Sequence, residues 1–438
     1  MTRVPTTVSR FAAVALCAIA AILASSPPAR AAGFGLYEQG ARALGTAGAF
    51  TARADDPSAI YFNPAGLAQV DGKALLVSPN LIYFKSEFSG VAPTPGYGVE
   101  EETKGQVFPP FAIYYAQGID RKVAAGIGIY SPYGLQVDWK DPDRFSGRAI
   151  STLSKITPFY FVPTVAWAPS PKFRVGAGAN LVLSKVELRR YLQAYNPIDD
   201  RTEDIGTVEL TSHQSFGAGF NAGIQWWPCE KMRYGATYRS KVDIDYDGTA
   251  DFAQRPTGNP VFDAIVAAGF PPDQRVETAV TYPAQASVGI ARVFSPAWTG
   301  EVNVNWTQWS AFDRLDLAFA TTPSRNISIT EDWDDVWNVR GGLEYRKAGT
   351  SPWAWRGGYY FDQSPQPSEG VGPLLPDGDR HGLSCGLGWT RGNTSIDAFA
   401  LYLIAPKRST EGVNRDDFNG TYKNTSLIGG ASLALRFH

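Results

Sequence analysis

The chain has 438 residues, with 40 Lys and Arg against 42 Asp and Glu, and a formal net charge of -2. This balance leaves no basic stripe of the kind that binds nucleic acid, so we expect no nucleic-acid partner. Three His and three Cys form no recognisable metal or catalytic cluster, which argues against a metal, a cofactor and a Ser-His-Asp enzyme.

The first 31 residues have the pattern of a secretory signal peptide. Arg3 and Arg10 form a basic region, residues 11–24 are uncharged and apolar, and Ala29–Ala31 fits a cleavage site. The apolar stretch is shorter than the roughly 20 residues that a membrane-spanning helix needs. We therefore expect residues 1–31 to be removed and the mature chain to begin at Ala32.

The segment 32–73 is rich in apolar and small residues but alternates too little for a strand. It contains "ADDPSAIYFNPAGLAQVDG", in which Asn63, Pro64, Ala65 and Gly66 break any preceding helix. We expect this segment to form a hatch inside the structure that the following strands build, with this turn reversing the chain. A disordered tail is the alternative.

From residue 74 to 438 the sequence has the alternation of β-strands. In "TSLIGGASLALRF", for example, Leu427, Leu433 and Phe437 share one face, while Ser426 and Ser432 share the other. One face suits lipid and the other suits a lumen. Fourteen segments follow this pattern: 74–88, 107–117, 121–137, 156–169, 172–190, 210–227, 231–250, 277–293, 298–320, 331–346, 351–362, 379–391, 394–407 and 423–437.

The connections between these segments alternate in length. Every second connection is short, as in "QGIDRK", "PSPK" and "RGNT", whereas those between them are much longer. Outer-membrane barrels have short periplasmic turns and long external loops, and a closed barrel satisfies the backbone in lipid. We therefore predict an all-β transmembrane antiparallel barrel of about 14 strands in the bacterial outer membrane. Whether Cys229 and Cys385 pair stays open.

Six blocks of the sequence resemble the FadL family of outer-membrane transporters, in the family's order. They are "AGFGLYEQGARALGTAGAF" with "ADDPSAIYFNPAGLA", "GIGIYSPYGL", "SFGAGFNAGI" with "RYGATYRSKVDIDYDG", "TQWSAFDRL", "FDQSPQP", and "LPDGDRHGLSCG". The resemblance implies a fourteen-stranded barrel with an N-terminal hatch. It also implies passive uptake of long-chain fatty acids or other hydrophobic compounds, without metal or ATP.

The family's route has three steps: capture between extracellular loops, binding in a barrel pocket, and sideways release at an inward kink in strand three. The resemblance places Phe34 in the hatch at the pocket. In "SPYG", Pro132 and Gly134 lie in a strand interior, where proline cannot donate to the ladder and glycine permits a bend. We expect the kink at Ser131, Pro132, Tyr133 and Gly134.

The capture site is expected in the long loop 250–277. Its stretch "NPVFDAIVAAGFPP" has helix length between prolines, with Phe262, Ile265, Val266 and Phe270 near helical spacing. An exposed apolar helix face suits the capture of a hydrophobic molecule, and a helix packed on neighbouring loops is the alternative.

Fatty-acid binders of the family have an arginine near the end of strand five and a lysine before strand ten. In "LSKVELRR" the arginine position falls on Leu188, with Arg189 adjacent, and a one-residue slip would reverse the face. The lysine position is Ile329, and the nearest cation is Arg325. Because a buried carboxylate needs a cation, this departure also admits neutral aromatic or aliphatic hydrocarbons as ligands.

Two further functions are alternatives. An outer-membrane enzyme would need a catalytic set that the His residues do not provide. A general porin would leave its lumen open, which the expected hatch opposes. The partners that we expect are the hydrophobic ligand, outer-membrane lipid and the barrel assembly machinery, which in barrels of this type reads the terminal aromatic, here Phe437, followed by His438.

Overall fold

The structure is a computed structural model that describes residues 33–347, 349 and 351–437. The expected signal peptide and its cleavage site therefore lie outside the described residues. The helices are α1 (Ala41–Leu44), α2 (Ala59–Phe62) and α3 (Pro260–Gly269). Among the described residues, none of the helices is long and apolar enough to cross a membrane.

Fourteen antiparallel strands, counted over the described residues, form the barrel wall. They are β1 (Lys73–Gly90), β2 (Phe111–Gly118), β3 (Val123–Tyr130), β4 (Phe159–Ser170), β5 (Phe173–Ser184), β6 (Ser215–Cys229), β7 (Met232–Arg239), β8 (Gln285–Ser295), β9 (Trp298–Thr307), β10 (Val336–Arg346), β11 (Trp353–Asp362), β12 (Arg380–Arg391), β13 (Thr394–Ile404) and β14 (Gly420–Phe437).

Each strand pairs with the next, and β14 pairs back with β1. The closing ladder runs from the pair Lys73 and Phe437 to the pair Gly90 and Gly420. Closure leaves no free strand edge, which is the condition for a sheet to span lipid. The predicted closed barrel of 14 strands is therefore confirmed.

The two faces of the wall follow the predicted alternation. On β14, Leu427 and Leu433 are exposed on the outside, whereas Ser426 and Ser432 are buried inside. On β5 the exposed Leu181 alternates with the buried Asn180 and Val182. The apolar side chains thus face lipid, and the polar side chains face the lumen.

The connections also alternate as the sequence predicts. The short turns lie between β2 and β3, β4 and β5, β6 and β7, β8 and β9, β10 and β11, and β12 and β13. The long connections span residues 91–110, 131–158, 185–214, 240–284, 308–335, 363–379 and 405–419.

A second sheet, of eight strands, stands above part of the barrel on the side of the long loops. Its strands are Leu135–Asp138, Leu153–Ile156, Val186–Asn196, Arg201–Ser212, Val242–Gln254, Gln274–Tyr282, Arg314–Phe319 and Ile327–Thr330. Several of the predicted strands, such as 172–190 and 231–250, are each divided into two strands in the structure. The first part belongs to the barrel and the second part to the second sheet. Three short loop strands, Glu100–Glu102, Gln106–Phe108 and Arg408–Ser409, complete the strands.

The chain from residue 33 to 72 lies inside the barrel. It consists of α1, α2, a 3₁₀ turn at Pro64–Gln69 and tight turns, and most of its residues are buried. Arg53 is in an ion pair with Glu301 of β9 at 2.9 Å, and Ala52 N–H donates to the same carboxylate at 2.7 Å. This buried ion pair and this hydrogen bond hold the segment 33–72 against the wall.

Candidate functional site

The third strand is interrupted at Ser131–Gly134, where its ladder with β2 and β4 stops. The N-terminal segment of the hatch pairs with this interruption instead. Leu36 N–H donates to the Pro132 carbonyl at 2.8 Å, and Gly134 N–H donates to the Phe34 carbonyl at 2.9 Å. The backbone that the wall leaves unpaired is therefore satisfied from inside the lumen.

Phe34 sits in an aromatic cage and is only 3% exposed. The nearest ring is that of Trp309, whose centroid lies 4.7 Å from the Phe34 centroid in an edge-to-face arrangement. The neighbouring Gly33 has a φ of +58°, and a Cβ there would lie 2.7 Å from the Trp333 ring, so the position requires glycine. The cage consists of Tyr133, Tyr282, Trp309, Phe312 and Trp333.

Glu331 lies behind the cage, in the loop between β9 and β10. Its carboxylate accepts a hydrogen bond of 2.8 Å from Trp333 Nε1. Burial raises the pKa of Glu331 to about 7, against the opposing effects of this hydrogen bond and of the Arg415 charge. A carboxyl group that titrates near neutral pH thus positions one wall of the cage.

A cavity of about 400 Å³ lies between the hatch segment 33–38 and the interrupted strand. Its size falls in the range of small-molecule sites, and its lining is mainly apolar, with Ile82, Leu403 and Ile428 on the far wall. Further apolar lining residues include Phe84, Phe108–Phe111, Leu135, Val137, Ile156, Pro158, Phe159, Tyr360 and Leu375.

This cavity extends to the lipid-facing surface of the wall. Phe111 lines the cavity and is also 40% exposed on the outside of β2. Its ring lies 6.0 Å from that of Phe159 on β4, so the two rings flank the interruption of β3. The two rings therefore lie against each other where the cavity reaches the wall.

Two cations line the cavity, and each has a carboxylate partner. Lys155 Nζ lies 3.2 Å from a Glu187 oxygen, and Arg380 Nη2 lies 3.9 Å from an Asp362 oxygen. The charges of both cations in this mainly apolar cavity are therefore balanced by nearby carboxylates.

The turn Asn63–Gly66 fastens the hatch to the wall. Asn63 is fully buried, and its Nδ2 donates to the carbonyls of Thr51 at 2.9 Å and Ile224 at 3.0 Å. A Cβ on the wall residue Gly223 would lie 2.1 Å from Asn63 Oδ1, and one on Gly176 would lie 2.4 Å from the Pro64 backbone. Glycines on β5 and β6 thus let the hatch backbone approach closely.

Replacing Asn63 with Ala should lower the free energy of unfolding by about 1 to 3 kcal/mol, because buried carbonyls lose their donor. Denaturant unfolding of the folded barrel in liposomes measures this change. The exposed turn residue Asn393 provides the control, since Asn393→Ala removes an amide without burial. Equal stability of the two variants would contradict the anchoring role.

None of the residues predicted to bind a ligand head group lines the cavity: Leu188, Arg189 and Ile329 are on strands of the second sheet, and Arg325 is in the 3₁₀ turn Pro323–Arg325. Leu188 and Ile329 pack against the apolar interior. Arg189 is on the other face of its strand, 3.0 Å from Glu209, and Arg325 donates to the Gly269 carbonyl at 2.9 Å. The structure therefore packs the two apolar positions against the same hydrophobic core and leaves the two arginines outside it.

Sequence reasoning missed Arg190. It shares the face of Leu188 and Val186, because strand side chains alternate. Among the described residues it has no ion pair within 4.0 Å, although burial lowers its pKa and the Asp416 charge raises it. The alternation Val186, Leu188, Arg190 in "VELRR" was the signal that would have identified it.

The predicted helix in the long loop is α3. Asn259 caps it, since its Oδ1 accepts hydrogen bonds from the N–H groups of Val261 and Phe262. Phe262 is 4% exposed and packs inward, whereas Ile265 is 59% exposed. Val266 is half-buried, and Phe270 lies 6.5 Å from Phe252, so only part of the apolar surface faces solvent.

In the part of the chain that the structure describes, no group of three or more His, Cys, Asp or Glu residues is placed to hold a metal ion. Cys229 and Cys385 are both free and exposed.

The closed barrel, the buried hatch and the apolar cavity define the class: an outer-membrane transport protein with an occluded lumen. Residues 21–437 match the family described as outer membrane protein transport protein (OMPP1/FadL/TodX). The chain belongs to this family, and its predicted family resemblance, outer-membrane location and role as a transporter rather than an enzyme are confirmed.

Individual relatives agree with this assignment. The chain is 24% identical over 415 residues to a long-chain fatty acid transport protein of Escherichia coli O6:H1, covering 90% of this chain and 91% of the relative. The crystal structure of a Pseudomonas aeruginosa FadL homologue has a TM-score of 0.82 and 20% identity, over 93% of this chain and 100% of the other. The P. putida toluene transporter TodX has a TM-score of 0.72 and 15% identity, over 92% and 100%. The two structures show a shared fold.

Proposed function

We propose that this protein takes up hydrophobic molecules passively across the outer membrane, with sideways release through the wall at Ser131–Gly134. The observation that supports this most directly is the apolar cavity bounded by the hatch segment 33–38 and extending to the lipid-facing Phe111. In this proposal residues 1–31 are a signal peptide, 32–73 are the hatch and 74–438 are the barrel.

The proposed route begins at α3, where the exposed Ile265 offers a first apolar contact. It passes to the cavity and ends between β2 and β4. The bottom of the lumen is a poor exit because ion pairs join the hatch to the wall, such as Arg53 with Glu301 at 2.9 Å and Arg42 with Glu344 at 3.6 Å. Breaking such a pair during every transport event would leave an uncompensated buried charge.

The substrate class follows from the relatives and the cavity together. One relative is named for long-chain fatty acids and one structural neighbour for toluene. Both ligands have a large apolar part, which suits the apolar lining. In a fatty acid the carboxylate requires a cation as well, and Arg190 in the second sheet is the available candidate.

Reconstitution into liposomes tests the proposed function. Vesicles that contain the protein should take up a radiolabelled fatty acid or toluene faster than empty vesicles, and they should not swell in small sugars. Swelling in sugars would show an open pore and support a general porin instead.

Ile329→Lys should shift binding towards fatty acids and away from neutral hydrocarbons, because it adds a cation against the apolar interior that Leu188 also lines. Competition between oleate and an alkane of equal length measures the preference. Ile198→Lys adds the same charge at an exposed loop position and should have no effect. An unchanged preference in Ile329→Lys would remove this position from the binding site.

We also propose that the barrel assembly machinery recognises the last strand. Phe437 ends β14, is 46% exposed and pairs with Lys73 at the closing seam. Outer-membrane lipid contacts the exposed side chains of the wall.

A further inference from the structure

Two arginines are buried inside the barrel without a carboxylate partner. Arg239 on β7 and Arg340 on β10 are 6% and 3% exposed. Over the residues that the structure describes, no Asp or Glu oxygen lies within 4.0 Å of either guanidinium group. Other deeply buried arginines of the lumen differ, since Arg53 pairs with Glu301 at 2.9 Å and Arg356 with Glu344 at 2.6 Å.

Neutral groups satisfy only part of the donors of Arg239. Its Nη1 donates to Gln285 Oε1 and its Nη2 to the Tyr61 carbonyl, both at 3.1 Å, while Nε has no acceptor. The guanidinium carbon lies 4.6 Å from the centroid of the Tyr61 ring. A ring face and two neutral oxygens do not neutralise the charge.

Arg340 is in the same condition. Its Nε donates to Asn338 Oδ1 at 2.7 Å and its Nη1 to the Ala47 carbonyl at 3.1 Å, while Nη2 has no acceptor. It stacks on Tyr37, with the guanidinium carbon 3.9 Å from the ring centroid. Because an arginine side chain stays protonated in proteins, neither residue can lose its charge instead.

Both arginines line one cavity of about 70 Å³ between the hatch and the wall. This cavity is distinct from the apolar one, and no Asp or Glu is among the residues that line it. It is also much smaller than the apolar cavity of about 400 Å³, so it suits a few water molecules or a small ion better than an acyl chain. Neutral polar residues such as Thr51, Asn221, Gln285 and Thr307 make up much of the remaining lining.

We propose that this cavity binds a small inorganic anion of the size of chloride, held between Arg239 and Arg340. Two uncompensated charges in a buried site are strongly unfavourable, and a bound anion removes this penalty for both. The mostly polar lining does not suit the hydrophobic ligand, so this site is independent of the transport proposal.

The anion would also connect the hatch to the wall. Tyr37, Gly48 and Thr51 of the hatch line the cavity together with residues of β7, β8 and β10. Gly48 has a φ of +78°, and a Cβ there would lie 2.5 Å from Arg340 Nη1. The hatch backbone at Gly48 therefore lies very close to Arg340, whose charge the anion would neutralise. Anion binding should thus stabilise the hatch in its position inside the barrel.

Crystals of the mature protein soaked in bromide test the site directly. Bromide replaces chloride and is identified by its anomalous scattering. We expect an anomalous peak at hydrogen-bonding distance from both guanidinium groups. A cavity that contains only water, in crystals that bind bromide elsewhere, would overturn the proposal.

Thermal unfolding tests the same site in solution. The midpoint should rise with chloride concentration, as it does for a ligand that binds only the folded state, and should stay lower in gluconate of equal ionic strength. Equal unfolding midpoints in chloride and gluconate would show that the salts act only by ionic screening, which would contradict a specific anion site.

Arg239→Met should abolish the difference between chloride and gluconate. The double variant Arg53→Met with Glu301→Gln is the matched control, because it removes a buried arginine together with its carboxylate partner, and this variant should keep the difference. A difference that persists in Arg239→Met would refute the assignment. If Arg239→Met does not assemble, the bromide experiment on the unmodified protein still decides the question.

Discussion

Replacing Ser131–Gly134 with a regular alternating strand, such as Thr-Val-Thr-Val, should abolish most uptake while ligand binding from outside persists. The new segment would pair with β2 and β4, fill the interruption of β3 beside Phe111 and Phe159, and release the hatch residues Phe34 and Leu36 from their present backbone partners. A barrier raised by about 1.4 kcal/mol already slows a rate tenfold, so we expect a decrease of at least about tenfold.

Uptake of a radiolabelled hydrophobic substrate, at matched abundance in the outer membrane, measures this effect. Pro163→Val is the control. Pro163 lies within β4, pairs with Ile127 and faces lipid, so its replacement removes a strand proline without changing the cavity. Normal uptake by the straightened variant would mean that the ligand leaves through the bottom of the barrel, past the turn Asn63–Gly66.

Phe34→Ala should weaken the binding of an apolar ligand by about 1 to 3 kcal/mol, the scale of a buried aromatic contact. Phe34 lines the cavity and is enclosed by five aromatic side chains, so the variant removes part of the lining and loosens the segment that pairs with Ser131–Gly134. Displacement of a fluorescent fatty acid, and titration with a hydrocarbon, measure the affinity.

Phe50→Ala separates this effect from general loosening of the hatch. Phe50 is fully buried in the same segment and packs edge-to-face on Phe62 at 5.6 Å, but it does not line the apolar cavity. Phe50→Ala should lower stability and leave affinity nearly unchanged. Equal losses of affinity in the two variants would show that Phe34 acts through hatch stability and not through ligand contact.

The barrel itself was predictable from the sequence, because its signals are local. Alternation of apolar and polar residues has a period of two, and it marks strands such as β5 and β14 without knowledge of their neighbours. The helix at Pro260–Gly269 could be predicted equally well, since its flanking prolines and the helical spacing of its apolar residues lie within one short stretch. Local signals did not show where the barrel strands end and the second sheet begins.

The residues expected to bind a ligand head group could be predicted from the sequence only in part. The alignment identified Leu188 and Arg189, whereas the strand alternation directs Leu188 and Arg190 to the interior and pairs Arg189 with Glu209. A shift of one residue reverses the face of a strand, so a sequence comparison with this uncertainty cannot choose the inward arginine.

Neighbouring residues along the chain encode the strand pattern, the alternating loop lengths and the chemical character of the hatch, so these features can be read from the sequence. Which distant groups meet depends on the folded chain. The backbone at Pro132 pairs with Leu36, nearly a hundred residues earlier, and Arg239 and Arg340 share one cavity from different strands. The physical reason is that closing the barrel sets these distances through the register of all its strands, and no single segment encodes that register.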